Sequence, residues 1–88
     1  MATIERFLFF YLIKDEPDRV RSVAPQHAAY WADLKLPGYI GGPFADRSGG
    51  SISFEVESRS EADRLVNKDP FMVADLLSES WLKEWHRG

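Results

Sequence analysis

The chain has 88 residues, enough for one domain, and its 44% apolar and 28% charged side chains are a globular composition far from that of disordered chains. Eleven basic against 14 acidic residues leave a net charge of −3, without the positive field that nucleic acid or an anionic membrane surface attracts, so neither is expected as a partner. With no cysteine, a disulfide framework, a thiolate zinc site and a thiol nucleophile are excluded together.

The first predicted element is Arg6 to Ile13, dense in aromatic and branched side chains and too short for a buried helix, hence a strand. Alternation puts Phe7, Phe9, Tyr11 and Ile13 on one face and Leu8, Phe10 and Leu12 on the other, so both faces need cover and the strand should be central. Its apolar core, Phe7 to Ile13, is seven residues long, against the roughly 20 needed to cross a bilayer. It ends abruptly at Lys14-Asp15-Glu16-Pro17, unlike a signal peptide. A soluble cytoplasmic protein, one domain over residues 1–88, is expected.

A helical region opens at Asp15 to Asp18, with Pro17 near its first position, and runs to about Lys35. Pro25 removes a backbone donor inside it, which predicts a break or kink, with the stronger helix from Pro25 to Leu36. Val20, Val23, Ala24, His27, Tyr30, Trp31 and Leu34 form one apolar stripe with His27 inside it. A second strand starts at Tyr39-Ile40, is interrupted by Gly41-Gly42-Pro43 and ends near Phe44-Ala45. Asp46 to Gly50 is turn chemistry, making a hairpin with a third strand, Ser51 to Glu57, whose Ile52, Phe54 and Val56 face inward. Ser58-Arg59-Ser60-Glu61 fits a capping box for a helix carrying Ala62, Leu65 and Val66, which stops near Asn67-Lys68-Asp69-Pro70. Phe71 to Leu77 can add a helical turn, and Ser78 to His86 reads as a last strand.

The fold class expected from this order is α+β: a ferredoxin-like β-α-β-β-α-β chain with a four-stranded antiparallel sheet. Two helices cover one sheet face only. A second copy of the chain is the simplest cover for the other, which predicts a homodimer.

The segments His27-Ala28-Ala29-Tyr30, Gly41 to Asp46, Ser60-Glu61-Ala62-Asp63 and Asp69-Pro70-Phe71 occur in the order found in the YciI-like (YCII-related) family, which the chain resembles over residues 5 to 86. The resemblance implies a dimeric α+β barrel, made by pairing two such sheets. It also implies a site built on a histidine of the first helix and the aspartate of an Asp-Pro-aromatic motif, positions held here by His27 and Asp69. One member of the family removes chloride from a chlorinated hydroxyhydroquinone, and related barrels include muconolactone isomerases and small monooxygenases.

A histidine with an ordinary pKa near 6.5 can take and return a proton around neutral pH, though one on an apolar stripe can equally be a hydrogen-bonded core residue. A carboxylate on one ring nitrogen would set the tautomer and leave the other free to act as a base; Asp69, held extended by Pro70, suits that task. Taken alone, Asp69-Pro70 is a turn. Gly42 and Pro43 read either as a strand kink or as backbone open to a ligand, and no phosphate-loop pattern occurs. Phe7, Phe9, Tyr11, Tyr30 and Trp31 read as core, with Tyr11 or Tyr30 able to place a hydroxyl in a pocket, and Phe71 joins the ligand-binding candidates. Asp46 reads as a turn cap and His86 as solvated. Two histidines 59 positions apart offer no metal-ligand spacing, and no G-x-S-x-G supports a serine triad, so neither a metal nor another cofactor is expected.

Two functions remain. One is a small cofactor-independent enzyme whose His27–Asp69 pair moves protons on a small aromatic or enolisable molecule, by isomerase, lyase or dehalogenase chemistry. The other is a non-catalytic dimeric module that binds a small ligand or assists another enzyme.

Overall fold

The computed structural model describes residues 4–86. Strand β1 (Glu5–Ile13) pairs antiparallel with strand β3 (Gly49–Val56) on one side and strand β4 (Leu77–Glu84) on the other. Strand β2 (Ile40–Pro43) lies at the edge, giving a four-stranded antiparallel sheet of order β2-β3-β1-β4. The chain is therefore a ferredoxin-like α+β fold with β1 central, as its two apolar faces predict.

Helix α1 (Pro17–Leu34) begins on Pro17, where a missing N–H is harmless, and ends at Lys35 in the left-handed region, φ 51°. Of the break or kink expected at Pro25, the break does not occur: the helix is continuous across it. Proline removes a single ladder bond, and the partly buried Val20, Val23 and Ala24 before it and the buried Trp31 after it press the same face onto the core. Helix α2 (Arg59–Asn67) has the expected cap: the Ser58 hydroxyl accepts from the Glu61 amide at 3.2 Å. A single turn, α3 (Pro70–Val73), follows, with Asp69 as its cap. The second and third strands are offset by one or two residues from their predicted limits. The last strand is present, ending two residues short of His86.

Between sheet and helices lies an aromatic core. Phe7, Phe9, Phe54 and Trp31 are fully buried, and the Trp31 ring sits 5.3 Å from Phe54 and 6.1 Å from Phe9, centroid to centroid. The opposite sheet face carries Leu8, Phe10 and Leu12 beside Ile40 and Trp81, the last stacked on Phe10 at 4.9 Å. Ile40 remains 69% and Trp81 36% exposed there, an apolar face with no cover among the described residues. Among the described residues no helix is long and apolar enough to cross a membrane.

Candidate functional site

Four elements converge at one end of the helix-covered sheet face. Pro70 fixes the entry to α3, and Asp69 before it keeps an extended ψ of 130°, so its carboxylate folds back over the turn and accepts the Phe71 amide at 2.8 Å. That places a carboxylate, with no exposed surface, against α1. His27 and Trp31, one turn apart on α1, grip it together. His27 Nδ1 lies 2.8 Å from Asp69 Oδ1, and the Trp31 indole N–H donates to Oδ2 at 2.8 Å. Three N–H groups thus point at a single buried carboxylate, which is how such a charge is made tolerable inside a protein. Among the described residues no buried side-chain polar atom lacks a partner.

The carboxylate assigns the imidazole's tautomer. An acceptor at Nδ1 requires the proton there, so the Nε2 lone pair points the other way. The nitrogen expected to be free is not free: the Tyr11 hydroxyl, from β1, lies 3.0 Å from Nε2 and donates to it. The Phe71 ring stacks on the imidazole at 4.3 Å and 23°, holding its plane. Burial first, then the negative charge of Asp69 and then Tyr39, push the Tyr11 hydroxyl well above the usual phenol range, so it stays protonated.

Space for that hydroxyl is made on the neighbouring strand. Gly50 pairs with Tyr11 across the β1–β3 ladder, and a Cβ there would sit 2.7 Å from the hydroxyl oxygen. Gly49 is tighter still, its missing Cβ falling on the Tyr11 carbonyl.

A cleft of about 1150 Å³ opens over this cluster, between α1 and the β2–β3 hairpin. Tyr11, His27 and Phe71 form part of its wall, and Gly42 and Pro43 line it from β2. Asp69 lies behind His27 and is not in the wall. Tyr30 is elsewhere: its hydroxyl donates to the Leu65 carbonyl on α2, and it does not line the cleft. The α1 stripe spans more than one neighbour, and Tyr30 belongs to the part facing α2. Burial, followed by the Asp69 charge, raises its pKa as well.

Trp31, expected as core, is core and also a hydrogen-bond donor to the site; its spacing of four from His27 is the only sign of this in the chain. Tyr39 and Arg47, which also line the cleft, carry no sequence signal of their own. Asp46 is a turn cap, its carboxylate held by the Ser48 amide and hydroxyl at 3.0 and 2.6 Å, bonds that lower its pKa. Among the described residues no three His, Cys, Asp or Glu side chains gather closely enough to hold a metal ion.

The family model for the YCII-related domain matches residues 7–86. No curated protein matches the chain in sequence. Among solved structures, the chain is similar to 5-chloro-2-hydroxyhydroquinone dehydrochlorinase (TftG) from Burkholderia phenoliruptrix AC1100, in complex with 2,5-dihydroxybenzoquinone, with 28% identity and a TM-score of 0.79 over 94% of this chain and 95% of that one. Rv0793 from Mycobacterium tuberculosis has 13% identity and a TM-score of 0.66 over 97% and 95% of the two chains. Protein SO0527 from Shewanella oneidensis has 11% identity and a TM-score of 0.66 over 99% and 93%. These last two share the fold.

Proposed function

The chain belongs to the YCII-related domain family, and from that premise we propose that it is a small cofactor-independent enzyme that moves a proton on a small aromatic or enolisable molecule. The observation that carries this reading is the row Tyr11–His27–Asp69, a phenol, an imidazole and a buried carboxylate linked at 3.0 and 2.8 Å beside the cleft. The similarity to a dehydrochlorinase over nearly the whole of both chains supports it.

The row works as a relay. Because the Tyr11 hydroxyl covers Nε2, a substrate proton passes to the Tyr11 oxygen as the hydroxyl proton moves to His27. The raised pKa of Tyr11 keeps free phenolate from accumulating, so the two transfers are coupled and the charge appears on the imidazole. Asp69 stabilises that imidazolium without itself taking the proton, while Trp31 and the Phe71 amide hold the carboxylate still. In a halogenated substrate, removal of the proton is accompanied by departure of halide from the same molecule, with no external oxidant or reductant. Enolisation followed by return of the proton would give an isomerase instead.

The open sheet face supports a homodimer formed through Leu8, Phe10, Leu12, Ile40 and Trp81. Cytoplasmic residence is part of the same reading.

The test is turnover of 5-chloro-2-hydroxyhydroquinone, followed as chloride release, together with deuterium exchange into enolisable ring compounds. His27→Gln, with unchanged circular dichroism, should lower the rate by about 10²–10⁴-fold, the contribution of a positioned acid–base group. An unchanged rate removes the chemistry. Saturable binding with no turnover of any compound moves the protein to the non-catalytic ligand-binding class.

A further inference from the structure

Three cations, Lys14, Arg21 and Arg47, line the cleft against a single carboxylate, Asp15, in a chain whose net charge is negative. They are not equivalent. Lys14 is held by Asp75 at 3.1 Å and Arg21 by Asp18 at 3.2 Å, both partners lying outside the cleft wall. Among the described residues Arg47 makes no ion pair, and the carboxylate beside it, Asp46, is engaged by Ser48.

The backbone at Arg47 lies in the left-handed region, as it does at Lys35 and Asp75. Its φ is 65°, a conformation that glycine or asparagine occupies at less cost. Exchanging Arg47 for glycine therefore puts no strain on the turn. Pro17, at the N-terminal turn of α1, also lines the cleft.

We propose that the cleft takes an organic anion, a small ring compound bearing a carboxylate, and that the Arg47 guanidinium binds the carboxylate. The planar fork of the guanidinium matches a carboxylate in two parallel hydrogen bonds. The ring then lies along Val20, Ala24, Ile52 and Phe71, toward the Tyr11 hydroxyl. This adds carboxylate-bearing rings to the compounds of the proton-transfer reading and rests on that reading only for the chemical steps after binding.

The experiment is an NMR titration of the whole chain with benzoate and with uncharged benzamide, for the wild type, Arg47→Gly and His27→Gln. Arg47→Gly removes the guanidinium and relieves the turn, so its melting temperature should stay level or rise. Its benzoate dissociation constant should rise by about tenfold or more, the worth of a hydrogen bond to a charged group, with benzamide unaffected. Benzoate binding no better than benzamide, or equally well to Arg47→Gly, overturns the proposal. His27→Gln should keep its preference for benzoate while losing turnover. Absence of anion selectivity in the wild type with turnover intact therefore sinks only the anion site, and wild-type selectivity with His27-independent turnover sinks only the chemistry.

Discussion

Asp69→Asn and Trp31→Phe, singly and together, test whether the buried carboxylate is held as described. Asparagine keeps the shape of Asp69 but only one acceptor oxygen. With that oxygen toward His27 and the Phe71 amide, the new NH₂ faces the Trp31 N–H; turned over, it faces both the His27 Nδ1–H and the Phe71 amide, so the first orientation costs less. Each orientation leaves a buried donor against a donor, at about 1–3 kcal/mol. Trp31→Phe in the wild type loses a hydrogen bond to a charged acceptor, about 1.5–3 kcal/mol, with a further packing loss against Phe9 and Phe54. In the Asp69→Asn background the same substitution removes an unsatisfied donor, and only the packing loss remains. The cycle should therefore show a coupling energy of about 2 kcal/mol. A domain of this size is stable by about 4–13 kcal/mol, so the single variants should fold. Urea unfolding at fixed protein concentration is the assay. With a slope near 1 kcal/mol per molar, the coupling appears as about 2 M in the midpoints. Additivity within about 0.5 kcal/mol would refute the idea that Trp31 serves the carboxylate as well as the core.

Gly50→Ala puts a Cβ 2.7 Å from the Tyr11 hydroxyl and 2.8 Å from the Gly42 carbonyl, so it should separate Tyr11 from His27 and cost about 1–3 kcal/mol; an unchanged melting temperature and turnover would contradict this. Tyr11 has a raised pKa when folded, so above the unfolded value of 10.0 the unfolded chain loses this proton first, and the stability due to it, complete below pH 10, declines as pH rises. Tyr11→Phe should flatten that alkaline decline in thermal melts, and an identical pH profile would remove the burial argument. Trp81→Glu places a charge on the open sheet face and should give a monomer by light scattering where the wild type gives a dimer. A wild-type monomer, or an undisturbed dimer in the variant, rejects that face as the interface.

Much of the fold is legible in windows of a few residues. The two-sided apolar strand Glu5–Ile13 is the central strand, and Ser58 with Glu61 marks the start of a helix, because alternation and capping are local properties. Pro25 is the converse case: its local cost is real, but tertiary packing of the stripe around it outweighs one missing bond. The site is less legible than the fold. The pairing of His27 with Asp69 is implied by a family resemblance alone, because 42 residues separate the two and nothing in either segment points to the other. Local chemistry along the chain settles the strand and helix faces and the turn that leaves Asp69 extended. Three features arise only when distant segments pack: Trp31 turns its N–H to that carboxylate, Tyr30 bonds to α2 instead of the cleft, and a phenol occupies the far nitrogen of His27. Hydrogen bonds depend on tenths of an ångström and on direction, and those are set where segments distant in sequence meet, not within any one of them.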